Sequence, residues 1–201
     1  MGVDGAVEAI RSGHPVVLPT DTVYGLCADG YRAGPVERLR RLKDTPEEQP
    51  ISLLAAELDV LLDVIPELRG RPAVVARAIL PGPYTLVVPN PTERFRWLAG
   101  ADPTKIGIRV PDLPDESRSV LNGVGAVAAT SANVHGGRDP ASLDEVPEEI
   151  RRGVGTLIEA GLLPGTPSTV VDLTGPQPRV LREGAVPAAA ALATIARVAN
   201  E

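Results

Sequence analysis

Pro19–Leu26 reads PTDTVYGL, and it follows directly on Pro15–Leu18, a short apolar run whose composition predicts a buried strand. The phrase therefore sits at a strand's exit, where hydroxyl and carboxylate side chains on a turn face open space and the β-branched residues beside them anchor the backbone. Upstream, Val3, Ala6, Val7 and Ile10 recur at helical spacing, with Gly13 as a stop. Downstream, Gly34-Pro35 opens a second helix with Val36, Leu39 and Leu42 on one face; it should end near Lys43, because Pro46 disfavours its continuation. The same reading places helices at Leu58–Val64, Pro72–Leu80 and from about Pro187 to Val198. Strands are predicted at Ile51–Ala55, Tyr84–Val88, Ile106–Val110, Ala126–Ala129, Thr156–Glu159, Thr169–Leu173 and Arg179–Leu181. Alternating helices and apolar strands predict an α/β fold layered around a mixed sheet. The 21 prolines and 20 glycines fall mostly between these elements, as expected of short fixed loops.

With 201 residues and 43% hydrophobic content, the chain can bury a full core as one domain. Aromatic residues are only 2%, so that core is aliphatic, and stacking platforms for single-stranded nucleic acid are nearly absent. A net charge of -6 argues against coating nucleic acid by counterion release; any RNA role needs a local basic cleft. Cys27 is the one cysteine, which excludes a disulfide framework or a cysteine zinc site within the chain. Neither a signal-peptide pattern nor an apolar run of membrane-spanning length is found, so a cytoplasmic protein is expected. The acidic pairs Glu47-Glu48 and Glu148-Glu149 read as solvated surface.

Four further phrases share the character of the first: PGPYTLV at Pro81–Val87, IRVP at Ile108–Pro111, TSAN at Thr130–Asn133 and PSTVVD at Pro167–Asp172. No P-loop or dinucleotide fingerprint is present, so a nucleotide would have to be held differently. Lys43 and Lys105 are the only lysines, against eighteen arginines; Lys43 is either a compact charge kept for a phosphate or a helix-end lysine serving the macrodipole. Arg109 alternates with apolar strand residues, so it either points into a cleft to clamp a carboxylate or sits on an edge. Arg182 leaves the same choice between a site and a surface ion pair. Thr130, Ser131 and Asn133 can donate to an anion or simply close a turn, and Ser168 and Thr169 can hold a ligand or start a strand. Asp172 reads as an arginine's partner. His14 and His135 lie in no nucleophile or metal motif, which favours binding and orienting reactants over histidine base catalysis.

Taken in order, PTDTVYGL, the Lys43 segment, PGPYTL, IRVP, TSAN, PSTVVD and the LREGAV that closes the series closely resemble the threonylcarbamoyl-adenylate synthase family, the YrdC-type domain, over about residues 6–186. The resemblance implies a single YrdC-like domain over 1–201, with a twisted mixed sheet flanked by helices around a deep, polar, positively charged central cavity. It implies a nucleotidyltransferase that condenses L-threonine, bicarbonate and ATP to threonylcarbamoyl-AMP and pyrophosphate, with magnesium, for tRNA modification; tRNA or tRNA-modification proteins would be partners. Carried over motif by motif, Thr20, Arg109 and Ser168 contact L-threonine. Lys43, Ser131, Asn133 and Arg182 face ATP, and Lys43 is the candidate catalytic cation. Two positions depart from the pattern: Thr45 stands where an arginine is expected in K-x-R-P, and Gln49 replaces a frequent lysine or asparagine. A YrdC-type paralogue that binds RNA or a nucleotide without catalysis is the alternative, disfavoured by the acidic total.

Overall fold

The computed structural model describes residues 2–198. Its strands are β1 (Val16–Pro19), β2 (Tyr24–Asp29), β3 (Ser52–Leu54), β4 (Tyr84–Pro89), β5 (Lys105–Arg109), β6 (Val127–Ser131), β7 (Thr156–Leu157), β8 (Thr169–Asp172) and β9 (Arg179–Arg182). The helices are α1 (Val3–Arg11), α2 (Ala33–Lys43), α3 (Leu58–Val64), α4 (Gly70–Ile79), α5 (Arg96–Ala99), α6 (Asp115–Val124), α7 (Glu148–Gly153) and α8 (Ala188–Val198). All the strands join one sheet in the order β7-β1-β2-β6-β3-β5-β4-β8-β9. It is mixed: β1/β7, β3/β5 and β4/β8 run parallel, and the other neighbours run antiparallel. The expected α/β architecture with helices flanking a mixed sheet is what the chain adopts.

The period of two decides what each face of this sheet does. Leu53, Leu86, Val88, Ile106, Ile108 and Val171 point to one side, into a continuous aliphatic core. There α2, α3, α4 and α8 cover them with Val36, Leu39, Leu61, Val75, Ala76, Ala191 and Ile195. On the other side Val16, Leu18, Cys27 and Val127 meet Ala6 and Ile10 of α1 and Val120 and Leu121 of α6. That second layer covers the β7-β1-β2-β6 end of the sheet and reaches Leu54 on β3. Over the rest of β3 and over β5, β4, β8 and β9 the same face lines a cavity.

Several predicted elements shift or were absent from the sequence reading. The phrase PTDTVYGL is a hairpin connection, and its last three residues already belong to β2, which pairs with β1 from Pro19↔Tyr24 to Val16↔Cys27. That strand went unpredicted because it is buried along almost its whole length and shows no alternation. Helices α5 and α7, of 4 and 6 residues, are too short to display a period. Helix α6 buries only Ser117, Val120 and Leu121, a narrow stripe in a polar segment. The second helix does end at Lys43, with Asp44 in the left-handed conformation (φ 55°) as its terminator.

Candidate functional site

One lateral row across the sheet builds the cavity floor. Leu54 pairs with Arg109, Thr85 with Val170, and Val170 with Arg182, while Leu86↔Ile108 sets Thr85 beside Arg109 one step further along. Arg109 and Arg182 are thus on the same face, three strand spacings apart, or about 14 Å between backbones. Along β5, Lys105, Gly107 and Arg109 all face the cavity, and so do Ser52 and Leu54 on β3 and Thr85 and Val87 on β4. Gly107 leaves the floor low, since a Cβ there would come 3.1 Å from Ser52 Oγ. The enclosed volume is about 490 Å³, enough for a drug-sized ligand.

At one end, Arg109 is almost wholly buried (11% side-chain exposure) against Asp21. Its Nη2 donates to Asp21 Oδ1 and Thr22 Oγ1, both at 2.5 Å, and more distantly to Thr20 Oγ1 at 3.5 Å. All three bonds use one nitrogen; the buried Nε finds no partner among the described residues. Burial pushes the Arg109 pKa down, Asp21 counters it, and the positive charge of Arg182 pushes it down further. Two guanidinium groups thus line one cavity, and an anion placed between them would be attracted by both.

Arg182 donates to the Ser168 carbonyl (2.9 Å) and to Ser168 Oγ (3.2 Å), and Ser168 Oγ lies 2.8 Å from Thr85 Oγ1. Arg182 is thereby a cavity residue with no surface ion pair among the described residues. The choice left open in PSTVVD divides cleanly. Ser168 lines the cavity, whereas Thr169 is structural, its hydroxyl bonding Val186 O and accepting from the backbone of Gly184 and Val186. Asp172 pairs with Arg179 and receives the Thr174 amide and hydroxyl. Gly184 packs so tightly on this turn that a Cβ would strike Pro167 O and the Ser168 carbonyl group. Gly184→Ala should therefore displace Ser168 and lower stability by about 2 kcal/mol, measured as a shift in the urea midpoint.

The other end is the turn after β6. Ser131 Oγ donates to Asn133 Oδ1 (2.6 Å) and Asn133 Nδ2 to Gly137 O (2.6 Å), so TSAN closes its own turn while Ser131 still lines the cavity. Lys43 lies behind this turn and is not among the lining residues. Its ammonium donates to Ser131 O (2.8 Å), Asn133 O (2.7 Å) and Asn133 Oδ1 (2.6 Å), which uses all three hydrogens. Burial lowers its pKa to about 8, with Asp139 acting against the shift. Lys43 thus places a charge beneath the turn and fixes its shape, a use neither sequence reading contained. Arg40 is committed elsewhere: it bonds the carbonyls of Pro46, Gln49 and Trp97 and so holds the loop that carries Thr45. Thr45 Oγ1 is itself buried with no partner among the described residues.

The lining differs from a uniformly positive cavity. Lys105, Arg109 and Arg182 are balanced by Glu48, Asp102 and Asp139. Glu48, expected as plain surface, is exposed but contributes to the cavity wall, while Glu148 does serve the surface by pairing with Arg151 and Arg152. Lys105 pairs with Asp102 at 3.3 Å. The scarcity of lysine that singled out Lys43 applied equally to Lys105, and its place four residues before Arg109 on one strand puts both on one face. Among the described residues no three His, Cys, Asp or Glu side chains are grouped to hold a metal ion, and no helix is long and apolar enough to cross a membrane.

The Sua5/YciO/YrdC family model, described as telomere recombination, matches residues 8–184. A threonylcarbamoyl-AMP synthase of Halorhodospira halophila is 38% identical over 160 residues, covering 80% of this chain and 81% of the relative. Among solved structures, P. abyssi Sua5 complexed with L-threonine is similar with a TM-score of 0.87 at 30% identity, covering 98% of this chain and 56% of that one. E. coli YciO is similar with a TM-score of 0.80 at 29% identity, covering 91% of this chain and 89% of that one. The chain thus spans little more than half of the Sua5 protein and most of YciO.

Proposed function

We propose that this chain, which belongs to the Sua5/YciO/YrdC family, is a threonylcarbamoyl-AMP synthase that joins L-threonine, bicarbonate and ATP. The observation that carries this reading is the pair of guanidinium groups, Arg109 and Arg182, on one cavity face with Ser168 and Thr85 between them. Two anionic groups must meet in this reaction: an amino-acid carboxylate and an α-phosphate. Arg109 would hold the threonine carboxylate, with Thr20 and Ser168 offering hydroxyls to its remaining polar groups. Arg182, nearer the mouth, would face the α-phosphate. Ser131, with Lys43 and Asn133 behind it, would shape the nucleotide end.

In this scheme the threonine amine takes up bicarbonate as a carbamate with loss of water. A carbamate oxygen then attacks the α-phosphorus, and the bond to pyrophosphate breaks. No side-chain nucleophile is required; the site's contribution is alignment and charge compensation. Among the described residues the wall carboxylates Glu48, Asp102 and Asp139 are not grouped to hold a magnesium ion by themselves. Such an ion would be a companion of the triphosphate.

A direct test incubates the purified protein with ATP, magnesium, bicarbonate and threonine and looks for threonylcarbamoyl-AMP and pyrophosphate by mass spectrometry. Threonine-dependent product supports the synthase; folded protein that forms none rejects it. One observation favours a second reading, a nucleotide binder without the reaction: Lys43 has no hydrogen left to donate, and Thr45 supplies no charge beside it. Thr45→Arg should then matter. An added guanidinium at the nucleotide end is expected to tighten ATP binding about tenfold, read by calorimetry, and an unchanged affinity would remove that loop from the nucleotide site. Transfer of the product to tRNA and a cytoplasmic setting complete the proposal.

A further inference from the structure

Tyr24 is fully buried at the start of β2, yet its three polar groups tie two separate segments, the loop after β6 and the stretch between β7 and β8. Its amide donates to Pro140 O (3.0 Å), and its carbonyl accepts from Ala132 N (2.9 Å), in the middle of the turn that carries Ser131. Its hydroxyl donates to Gly161 O (2.8 Å) and accepts from Ala160 N (3.0 Å). That last segment has no helix or strand between β7 and β8, and it leads straight into Pro167 and Ser168. From Ile158 to Gly165 its other ties are Ile158 N to Val17 O, Leu163 N to Ala141 O and Gly165 N to Thr22 O, whereas beyond it Pro167 O accepts from Ala185 N and Ser168 is met by Arg182 and Thr85. A segment without a ladder of its own is ordered only by such outside contacts.

We propose that Tyr24 is a positioning residue whose hydroxyl fixes the 158–168 segment, and through it Ser168, while its backbone fixes the turn of Ser131. One buried residue would thus link the two segments, by its side chain on one and its backbone on the other. The effect on ligand rests on the synthase reading above; the effect on the segment does not. A bare phenyl ring fills the same space, so Tyr24→Phe removes the hydroxyl tie and leaves both backbone ties in place.

The test compares the full-length wild type with Tyr24→Phe by hydrogen exchange, threonine titration calorimetry and steady-state kinetics. Peptides spanning 158–168 should exchange about tenfold faster in the variant, and peptides over β6 and its turn should stay within about twofold. Threonine should bind about tenfold more weakly, with KM for threonine rising in step and kcat and the KM for ATP within about twofold. Faster exchange in all peptides together, β4 and β5 included, would assign Tyr24 a general core role and overturn the proposal. So would unchanged exchange at 158–168, or unchanged threonine affinity despite a loosened segment. Should the wild type bind no threonine, the synthase reading fails, and the exchange comparison alone decides whether the tie exists.

Discussion

Replacing Arg109 by alanine is expected to reduce threonine-dependent product formation by about three orders of magnitude and to destabilise the fold by about 3 kcal/mol, for two separable reasons. The loss of stability comes from Asp21, which is as buried as its partner (11% side-chain exposure) and would be left with a charge and no guanidinium beside it. The Thr22 hydroxyl loses its donor as well, while Thr20 keeps its bond to Val23 O. The loss of activity comes from the ligand side: removing the guanidinium removes the group proposed to take the threonine carboxylate. A second substitution separates the two. Adding Asp21→Asn to Arg109→Ala neutralises the stranded carboxylate, so the urea midpoint should move back toward the wild type while product formation stays where it was.

Arg109→Lys sharpens the distinction. An ammonium can keep the ion pair with Asp21, but as a point charge it cannot span Asp21, Thr22 and a ligand carboxylate as the planar fork does. Stability near that of the wild type, with turnover still down about a hundredfold, is the expected pattern. Turnover and threonine KM that survive Arg109→Ala intact would remove this residue from the substrate site, whatever its structural role.

That Arg109 lies on the face opposite Ile106, Ile108 and Val110 was legible from their alternation, because a strand's period is a local property; whether that face was a cleft or an exposed edge was not. Nor was what Arg109 faces. Its partnership with Arg182 depends on β5, β4, β8 and β9 lying side by side in that order, and strand order is set by long-range packing that leaves no mark within either phrase. The roles of Asp21 and Thr22 in the opening motif were not legible, since a turn's direction cannot be read before its strand has a neighbour. The division of Ser168 from Thr169 has the same origin. Both are polar and adjacent, and only the pairing of β8 with β4 sends Ser168 to the cavity and leaves Thr169 to bond the Gly184–Val186 turn. The helix end at Lys43 was readable because Pro46, which disfavours continuation, is near in sequence, but the turn its ammonium serves lies some ninety residues away.

Lys43 gives the second large effect, and its pH dependence has opposite signs in stability and in activity. In the folded protein burial lowers its pKa to about 8, against an ordinary lysine value of 10.5. Below pH 8 both folded and unfolded chains hold the proton, and the fold carries the full burden of the buried charge. Between about 8 and 10.5 the unfolded chain still binds the proton while the folded chain releases it, so raising the pH favours the folded state, and this residue's contribution to stability increases across that window. Deprotonation also takes away one of three hydrogens that bond Ser131 O, Asn133 O and Asn133 Oδ1, together with the charge beneath the turn. Turnover should therefore fall across the window in which this contribution rises. Lys43→Met keeps most of the stem, removes the titration and leaves the three acceptors without their donor. It should flatten both profiles and lower turnover about a hundredfold at pH 7, because a turn displaced by about 1 Å no longer presents Ser131 correctly. Urea unfolding and initial rates, measured at matched ionic strength from pH 7 to 10 in both proteins, check the two signs independently. A wild-type activity profile that Lys43→Met reproduces in shape would mean that another group titrates in this range and that the ammonium beneath the turn is not what the rate reports.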